Sequence, residues 1–389
     1  MNHYVKNTEL IVMQATTFCN INCKYCYLPD RNKYDLITDE ILEETLKKLL
    51  SSNMLAEGVR FLWHCGEPLT AGISFYKKVM QLVVKYNINK INIQHGIQTN
   101  AMLINQEWCD FFKKHNFHIG VSLDGPEFLH NNSRITRTGK GTHASVMRGV
   151  QLLKSNGIPL SAISVVSNRT LSYPEEFFNF FIENDVSNLS LLIEEIIGEN
   201  HSTDFQNIYT KSVSDDVKNK YRYFMQTLFE LWARNKDKIT IREFMEISIN
   251  IYKIKNNIDF RPKSLETEPL KIITIQKNGD ISTFCPELAS GLKGNRKLFT
   301  IGNIQQINTL EDVIDNKNFK KISRSISMGI SNCRKSCDYF KLCGGRSPGI
   351  KMYENNSFES TVTQHCMLQR QLLVDTVTNS LILACPNYI

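Results

Sequence analysis

No run of apolar residues in this chain reaches the ~18 that a membrane-spanning helix needs, so no such helix is expected. The first ten residues lack the basic-then-apolar order of a secretory signal. The chain is therefore expected in the cytoplasm, where N-x-S/T matches such as Asn168-Arg169-Thr170 carry no glycan. No basic block is present either. Lys and Arg number 46 against 39 Asp and Glu, and the net charge of +7 is spread along the chain, which argues against nucleic acid as a partner. The same mild surplus suits an acidic peptide. Internal repeats and low-complexity tracts are absent. Apolar residues at 42% and charged residues at 22% exclude disorder as the main state. A length of 389 residues implies a large catalytic domain and a smaller unit.

What is present in excess is cysteine. There are 11, an odd number that argues against a disulfide framework in a reducing compartment. Their placement is uneven. Cys19, Cys23 and Cys26 fall together near the start, and Cys333, Cys337, Cys343 and Cys366 fall together near the end, whereas Cys65, Cys109, Cys285 and Cys385 are scattered. Clustered cytosolic cysteines point to metal or iron–sulfur ligation.

The first half alternates strand and helix signals. Strand-like runs at 9–15, 59–63, 91–98, 118–123, 160–166 and 189–193 are separated by amphipathic stretches at 38–50, 75–86, 106–114, 145–155 and 174–182. Such βα alternation predicts a mostly parallel sheet with functional loops at the strands' C-terminal ends. Six β units are too few for a closed eight-fold barrel, so an open, partial (β/α)6 TIM-like barrel is expected over residues 1–195. Residues 196–270 read as two bridging helices, carrying Val217–Trp232 and Phe244–Ile254, followed by a polar linker. Beyond 271 a hairpin is expected around Lys277-Asn278-Gly279-Asp280, and the remainder to 389 reads as loop-rich and cysteine-rich. Cys109, beside Trp108, and the aromatic set Phe177, Phe178, Phe180 and Phe181 read as core.

Cys19-x₃-Cys23-x₂-Cys26 follows the first strand. Three thiolates on one loop can hold three irons of a cubane and leave the fourth open, the position at which a ligand with an amine and a carboxylate can bind. A zinc knuckle borrowing a distant fourth ligand fits the same spacing. The CxxxCxΦC pattern, with Tyr25 as its aromatic residue, resembles the radical S-adenosylmethionine (SAM) superfamily. Further segments match in order. His64-Cys65-Gly66-Glu67-Pro68 is similar to the family's GGEP turn with cysteine in place of the first glycine, and Gln98-Thr99-Asn100 to its QTN segment. Ser122-Leu123-Asp124-Gly125 resembles SxDG, and His130 to Arg134 with Gly139 to Thr142 resembles HdxxR…GxGT. The resemblance implies a 4Fe–4S cluster with an open iron on Cys19, Cys23 and Cys26. It also implies SAM contacts from Tyr25, His64, Cys65, Gly66, Glu67, Asn100, Ser122 and Arg134. Arg134 would take the SAM carboxylate, for which its planar fork is suited.

Cys333-x₃-Cys337-x₅-Cys343-x₂₂-Cys366 supplies four thiolates, enough to close a cluster completely or to hold tetrahedral zinc. The stretch resembles the SPASM extension of radical SAM peptide-modifying enzymes. The first spacing is one residue longer than usual there, Ser347 stands where a further cysteine is common, and the opening cysteine of the extension is missing from 263–269. The resemblance thus implies at least one auxiliary 4Fe–4S cluster. Cys285 is left over, either a ligand of an incomplete further cluster or a buried thiol.

The run from Cys343 to Cys366 resembles, with departures at Arg346, Gly349, Ile350, Asn356 and Val362, the GrrM/OscB-type SPASM maturases. Those enzymes close cyclophanes in ribosomally made peptides by joining an aromatic ring to a nearby β-carbon. The likeness implies a precursor peptide as substrate and an external flavodoxin- or ferredoxin-type electron donor. No general base is assignable; Glu194, Glu195 and Glu287 are the candidates. Little chain precedes Cys19 for a leader-binding domain, so leader recognition is expected from the barrel flank, from 196–270 or from another protein. Two other readings stand beside this one. An anaerobic sulfatase maturase uses the same scaffold, usually with Asp directly after the cysteine matched by Cys285, where this chain has Pro286 and then Glu287. A non-catalytic zinc or iron–sulfur module is the other.

Overall fold

A computed structural model describes residues 4–205, 212–262 and 264–384; Cys385 lies outside them. The backbone begins with β1 (Thr8–Met13), α1 (Asp39–Ser51), β2 (Leu55–Trp63), α2 (Gly72–Tyr86), β3 (Asn92–Thr99), α3 (Gln106–Lys114) and β4 (His118–Ser122). It continues through α4 (Glu127–Ser133), α5 (His143–Ser155), β5 (Leu160–Val166), α6 (Pro174–Glu183) and β6 (Val186–Ile193). Strands β1 to β6 pair in sequence order, all parallel. Strand β1 is buried on both faces, with Ile11, Val12 and Met13 all fully buried, whereas β5 alternates buried with half-buried positions. Helix starts follow local chemistry. The Thr38 side chain accepts the Ile41 N–H ahead of α1, and Pro174 occupies the first turn of α6. Cys109 is fully buried, and Phe177 on α6 meets Phe224 edge-on at 5.4 Å.

Two helices bridge onward, α7 (Asp215–Ala233) and α8 (Arg242–Lys255), with the short β7 (Thr240–Ile241) parallel to β6 between them. The expected hairpin forms as β8 (Ile272–Ile275) and β9 (Asp280–Thr283), followed by β10 (Gly302–Asn303). Its location is new: β8 pairs parallel with β1, so one ten-stranded sheet runs β10-β9-β8-β1-β2-β3-β4-β5-β6-β7.

The stretch expected to be loop-rich is largely helical. It contains α9 (Lys317–Ser336), α10 (Phe340–Cys343), α11 (Pro348–Asn355), α12 (Gln364–Cys366), a π turn at Met367–Leu372 and α13 (Leu373–Ala384). The helix α13 packs on α7. Gln369 fastens this packing, accepting from Tyr221 Oη at 2.9 Å and donating to the Leu191 carbonyl at 2.7 Å. Among the described residues no helix is long and apolar enough to cross a membrane.

Candidate active site and auxiliary cysteine site

The loop between β1 and α1 carries Cys19, Cys23 and Cys26, and it is clamped from several sides. Its Asn22 and Lys24 N–H groups donate to the carbonyls of Ile135 and Ser133, at 2.7 and 2.9 Å. Arg31 Nη1 donates to the Cys23 carbonyl at 2.9 Å and Arg137 Nη2 to that of Cys19 at 2.6 Å. Burial, reinforced by the Glu67 carboxylate, pushes the Cys19 thiol up to about 12. Burial pushes Cys23 to about 11, against the pull of Arg134. Such thiols are neutral unless a metal centre stabilises the thiolate, the form that ligates. Hydrogen-bond donors approach two of the sulfurs: Asn100 Nδ2 lies 3.9 Å from Cys19 Sγ, and Arg134 Nη1 3.8 Å from Cys23 Sγ.

The turn after β2 presses against this loop. A Cβ on Gly66, whose φ is +65°, would stand 2.6 Å from the Phe18 carbonyl oxygen and 2.8 Å from that of Thr16. Cys65 takes φ +72°, and its Sγ lies 3.7 Å from Tyr27 Oη. His64 is tied to β1 through its N–H and the Met13 carbonyl at 3.1 Å, while its Nδ1 is buried without a partner. Burial lowers that imidazole to about 4. A buried ring nitrogen without a partner, in the turn that presses on the cysteine loop, fits a polar ligand.

The other residues implied as SAM contacts are placed as follows. Glu67 is buried, and its carboxylate accepts from the Leu69 N–H, Thr99 Oγ1 and the Asn100 N–H at 3.0, 2.7 and 2.7 Å. It joins the ends of β2 and β3, and Asn100 in turn donates to Asn20 Oδ1 at 2.7 Å. Ser122 accepts from Gln98 Nε2 at 3.0 Å. Arg134 is buried in an ion pair, its Nε 3.0 Å from Asp124 Oδ2, and Tyr25 Oη donates to that same oxygen at 2.5 Å. The Arg134 guanidinium also covers the Tyr25 ring, 5.4 Å from its centroid. Asp124, present in the matched segment but given no role from sequence, is thus the hub of this corner, and its Oδ1 also accepts the Val165 N–H at 2.9 Å.

Around the mouth lie the candidate bases. Burial, with Asp204 nearby, lifts Glu194 to about 7. Burial, with Glu266, lifts Glu287 to about 8, and its charge is felt at Tyr27 and Cys65. Glu195 is 2.7 Å from His365 Nδ1. That contact is close enough for an ion pair, although its geometry is too bent for a hydrogen bond.

The second cysteine group assembles from α9 to α12. Cys333, Cys337, Cys343 and Cys366 line one cavity, although 32 residues lie between the first and the last. Lys351 on α11 and Arg370 on the π turn line it too, as does Arg346. Burial and the three neighbouring thiols push Cys366 up to about 12. Cys285 does not line this cavity. It is buried at the end of β9 with its Sγ against the Gly349 backbone, where a Cβ would come within 2.7 Å. Among the described residues, no three His, Cys, Asp or Glu side chains close on a single metal-ion position. A cubane, with its irons at separate corners, holds its thiolates farther apart than one ion does.

Sequence reasoning missed Asp124, Gln98, Lys351 and the Glu195–His365 pair. Asp124 had a signal in its motif. Lys351 lies in the run that resembles the SPASM maturases and is not among its departures, but that likeness does not say that its side chain turns inward to a thiol.

The chain is similar to known proteins in sequence and in fold. A profile of the radical SAM superfamily matches residues 13–181. An uncharacterized protein of Synechocystis sp. is 35% identical over 378 residues, covering 96% of this chain and 92% of the relative. A cysteine-type anaerobic sulfatase-maturating enzyme of Clostridium perfringens is 28% identical over 353 residues, covering 87% of this chain and 88% of the enzyme. Among solved structures, native anSMEcpe with bound AdoMet and Cp18Cys peptide superposes with a TM-score of 0.76 at 22% identity, covering 98% of this chain and 100% of that one. Streptococcus suis SuiB bound to precursor peptide SuiA superposes with a TM-score of 0.63 at 16% identity, covering 93% and 76%.

Proposed function

The chain belongs to the radical SAM superfamily, and from that premise we propose that it matures a ribosomally made precursor peptide by forming a carbon–carbon cyclophane crosslink. It is a radical enzyme that uses SAM and 4Fe–4S chemistry, with auxiliary-cluster chemistry of the sulfatase-maturase type. One observation carries the peptide reading: a three-thiol loop on the barrel rim and a separate four-thiol cavity occur together in a fold shared with proteins solved with bound peptides.

In this reading Cys19, Cys23 and Cys26 hold the SAM cluster, and Cys333, Cys337, Cys343 and Cys366 hold the auxiliary one. When bound, the first cluster and SAM supply a 5′-deoxyadenosyl radical able to take hydrogen from an unactivated side-chain carbon. The protein's residues do the rest. Asp124 fixes Tyr25 and Arg134 beside Cys23, and Glu67 fixes Asn100 beside Cys19. His64 offers its unpartnered Nδ1 to SAM. Glu287, whose carboxyl burial and Glu266 raise to about 8, is one candidate to handle the proton lost on ring closure. The electron that starts each cycle comes from a flavodoxin- or ferredoxin-type donor.

A second reading has a specific observation in its favour: curated relatives are sulfatase-maturating enzymes, one of them matching 87% of this chain. There the product would be formylglycine on a sulfatase peptide. The two readings separate by product chemistry. Incubation with a candidate precursor peptide should give loss of two hydrogens and no reaction with a hydrazide probe. An aldehyde that labels with hydrazide would establish the second reading instead. Metal content tests both. About eight irons are expected in reconstituted protein and about four in the Cys19/Cys23/Cys26→Ala variant, since each cubane carries four. Zinc without sulfide would end both.

A further inference from the structure

Lys351 is 4% exposed, and its ammonium faces inward. Its Nζ donates to Cys333 Sγ at 3.2 Å and to the Gly345 carbonyl at 3.5 Å. No carboxylate pairs with it among the described residues. A buried ammonium without a counter-charge is strongly unfavourable, so the anion it faces has to come from the thiol cavity itself. The wall supports this. Among the described residues no Asp or Glu lines that cavity. The Arg346 guanidinium on that wall is paired with the Glu246 carboxylate, and the His365 ring stands against Glu195. Lys351 is turned to the sulfurs instead. The first cysteine loop is different: Glu67 lies near Cys19, and the Arg134 charge is compensated by Asp124.

From this geometry we propose that Lys351 sets the reduction potential of the iron–sulfur cluster on Cys333, Cys337, Cys343 and Cys366, holding it above that of the SAM-binding cluster so that it serves as an electron acceptor. The proposal rests on the ligand set assigned above. The couple concerned gains one electron and makes or breaks no bond. That electron adds negative charge to the cluster and its sulfurs. A charge-assisted N–H···S bond strengthens as the sulfur becomes more negative, so the reduced form gains more from Lys351 than the oxidised form does. Lys351 therefore acts as a positioning residue through the cluster and does not touch the substrate.

The test is an EPR-monitored redox titration of the Cys19/Cys23/Cys26→Ala protein, in which the auxiliary cluster stands alone, with Lys351→Met and Lys351→Arg added in turn. Iron and sulfide are measured on each sample. Lys351→Met is expected to keep about four irons and to lower the potential by at least tenfold in the reduction equilibrium, about 59 mV for one electron. Lys351→Arg, which keeps charge and donor, should recover most of that. In the full chain with both clusters, only the higher of the two potentials should move. An unshifted potential with iron retained overturns the proposal and leaves the ligand assignment intact. Loss of iron in Lys351→Met and in Lys351→Arg alike also overturns it, because Lys351 would then be needed for assembly and not for tuning. Absence of iron from the parent triple variant overturns the ligand assignment, and this proposal with it.

Discussion

Cys65 holds a backbone conformation that a side chain disfavours, with φ +72°. Left-handed backbone costs an ordinary residue about 1–2 kcal/mol, and the thiol's contact with Tyr27 Oη at 3.7 Å returns part of that. Cys65→Gly should therefore raise stability by roughly 0.5–1 kcal/mol in urea unfolding. A loss instead would show that the buried thiol packs better than its backbone suffers. Glu194 makes a prediction in pH. Burial and Asp204 raise it from 4.5 to about 7. Between those values the folded chain keeps a proton that the unfolded chain has released. Its contribution to stability is thus complete below about pH 4.5 and fades as pH rises through about 7. Glu194→Gln should flatten that part of a stability–pH profile, and an unchanged slope would refute the raised value. At this scale the sequence was legible wherever a motif concentrates chemistry, as in the three-cysteine loop and the Gly66-Glu67-Pro68 turn. It was not legible for Lys351 or for the partners of Asp124, since no local pattern says which way a polar side chain points.

Among the elements, α9 shows why the C-terminal third reads as loop. Its buried positions, Phe319, Ile322, Ile326, Gly329 and Cys333, have helical spacing, but two of the five are glycine and cysteine, which weaken an apolar stripe. The glycine is required by packing. A Cβ on Gly329 would stand 2.0 Å from the Phe358 carbonyl oxygen, where the 357–361 segment crosses the helix. The same segment accepts from Cys333 Sγ through the Thr361 carbonyl at 3.7 Å. Gly329→Ala should cost about 1–3 kcal/mol through overpacking and reduce auxiliary iron while the SAM cluster is retained. Gly66→Ala should have the opposite signature. It would push the turn after β2 off the first cysteine loop, removing SAM-cluster iron and SAM cleavage while auxiliary iron remains. Full iron in both variants would show that neither close approach matters to ligation.

For the molecule as a whole, the pairing of β8 with β1 makes the C-terminal segment part of the barrel's own sheet. Removing residues 271–389 would expose the edge of β1, whose Ile11, Val12 and Met13 are fully buried. Such a truncated chain should aggregate or bind a hydrophobic dye on purification, whereas a soluble, cooperatively melting fragment would show that the barrel is independent of that edge. The sequence by itself determined the βα alternation, the mostly parallel sheet it implies, the hairpin at 272–283 and both cysteine groupings, because periodicity and ligand spacing are properties of neighbouring residues. Only the tertiary structure decided that the hairpin extends the sheet beside β1, that Cys285 rests on the Gly349 backbone outside the four-thiol cavity, and that Lys351 turns inward to Cys333. Each of these depends on segments distant in the chain being brought together as apolar faces are buried, and no local spacing encodes that.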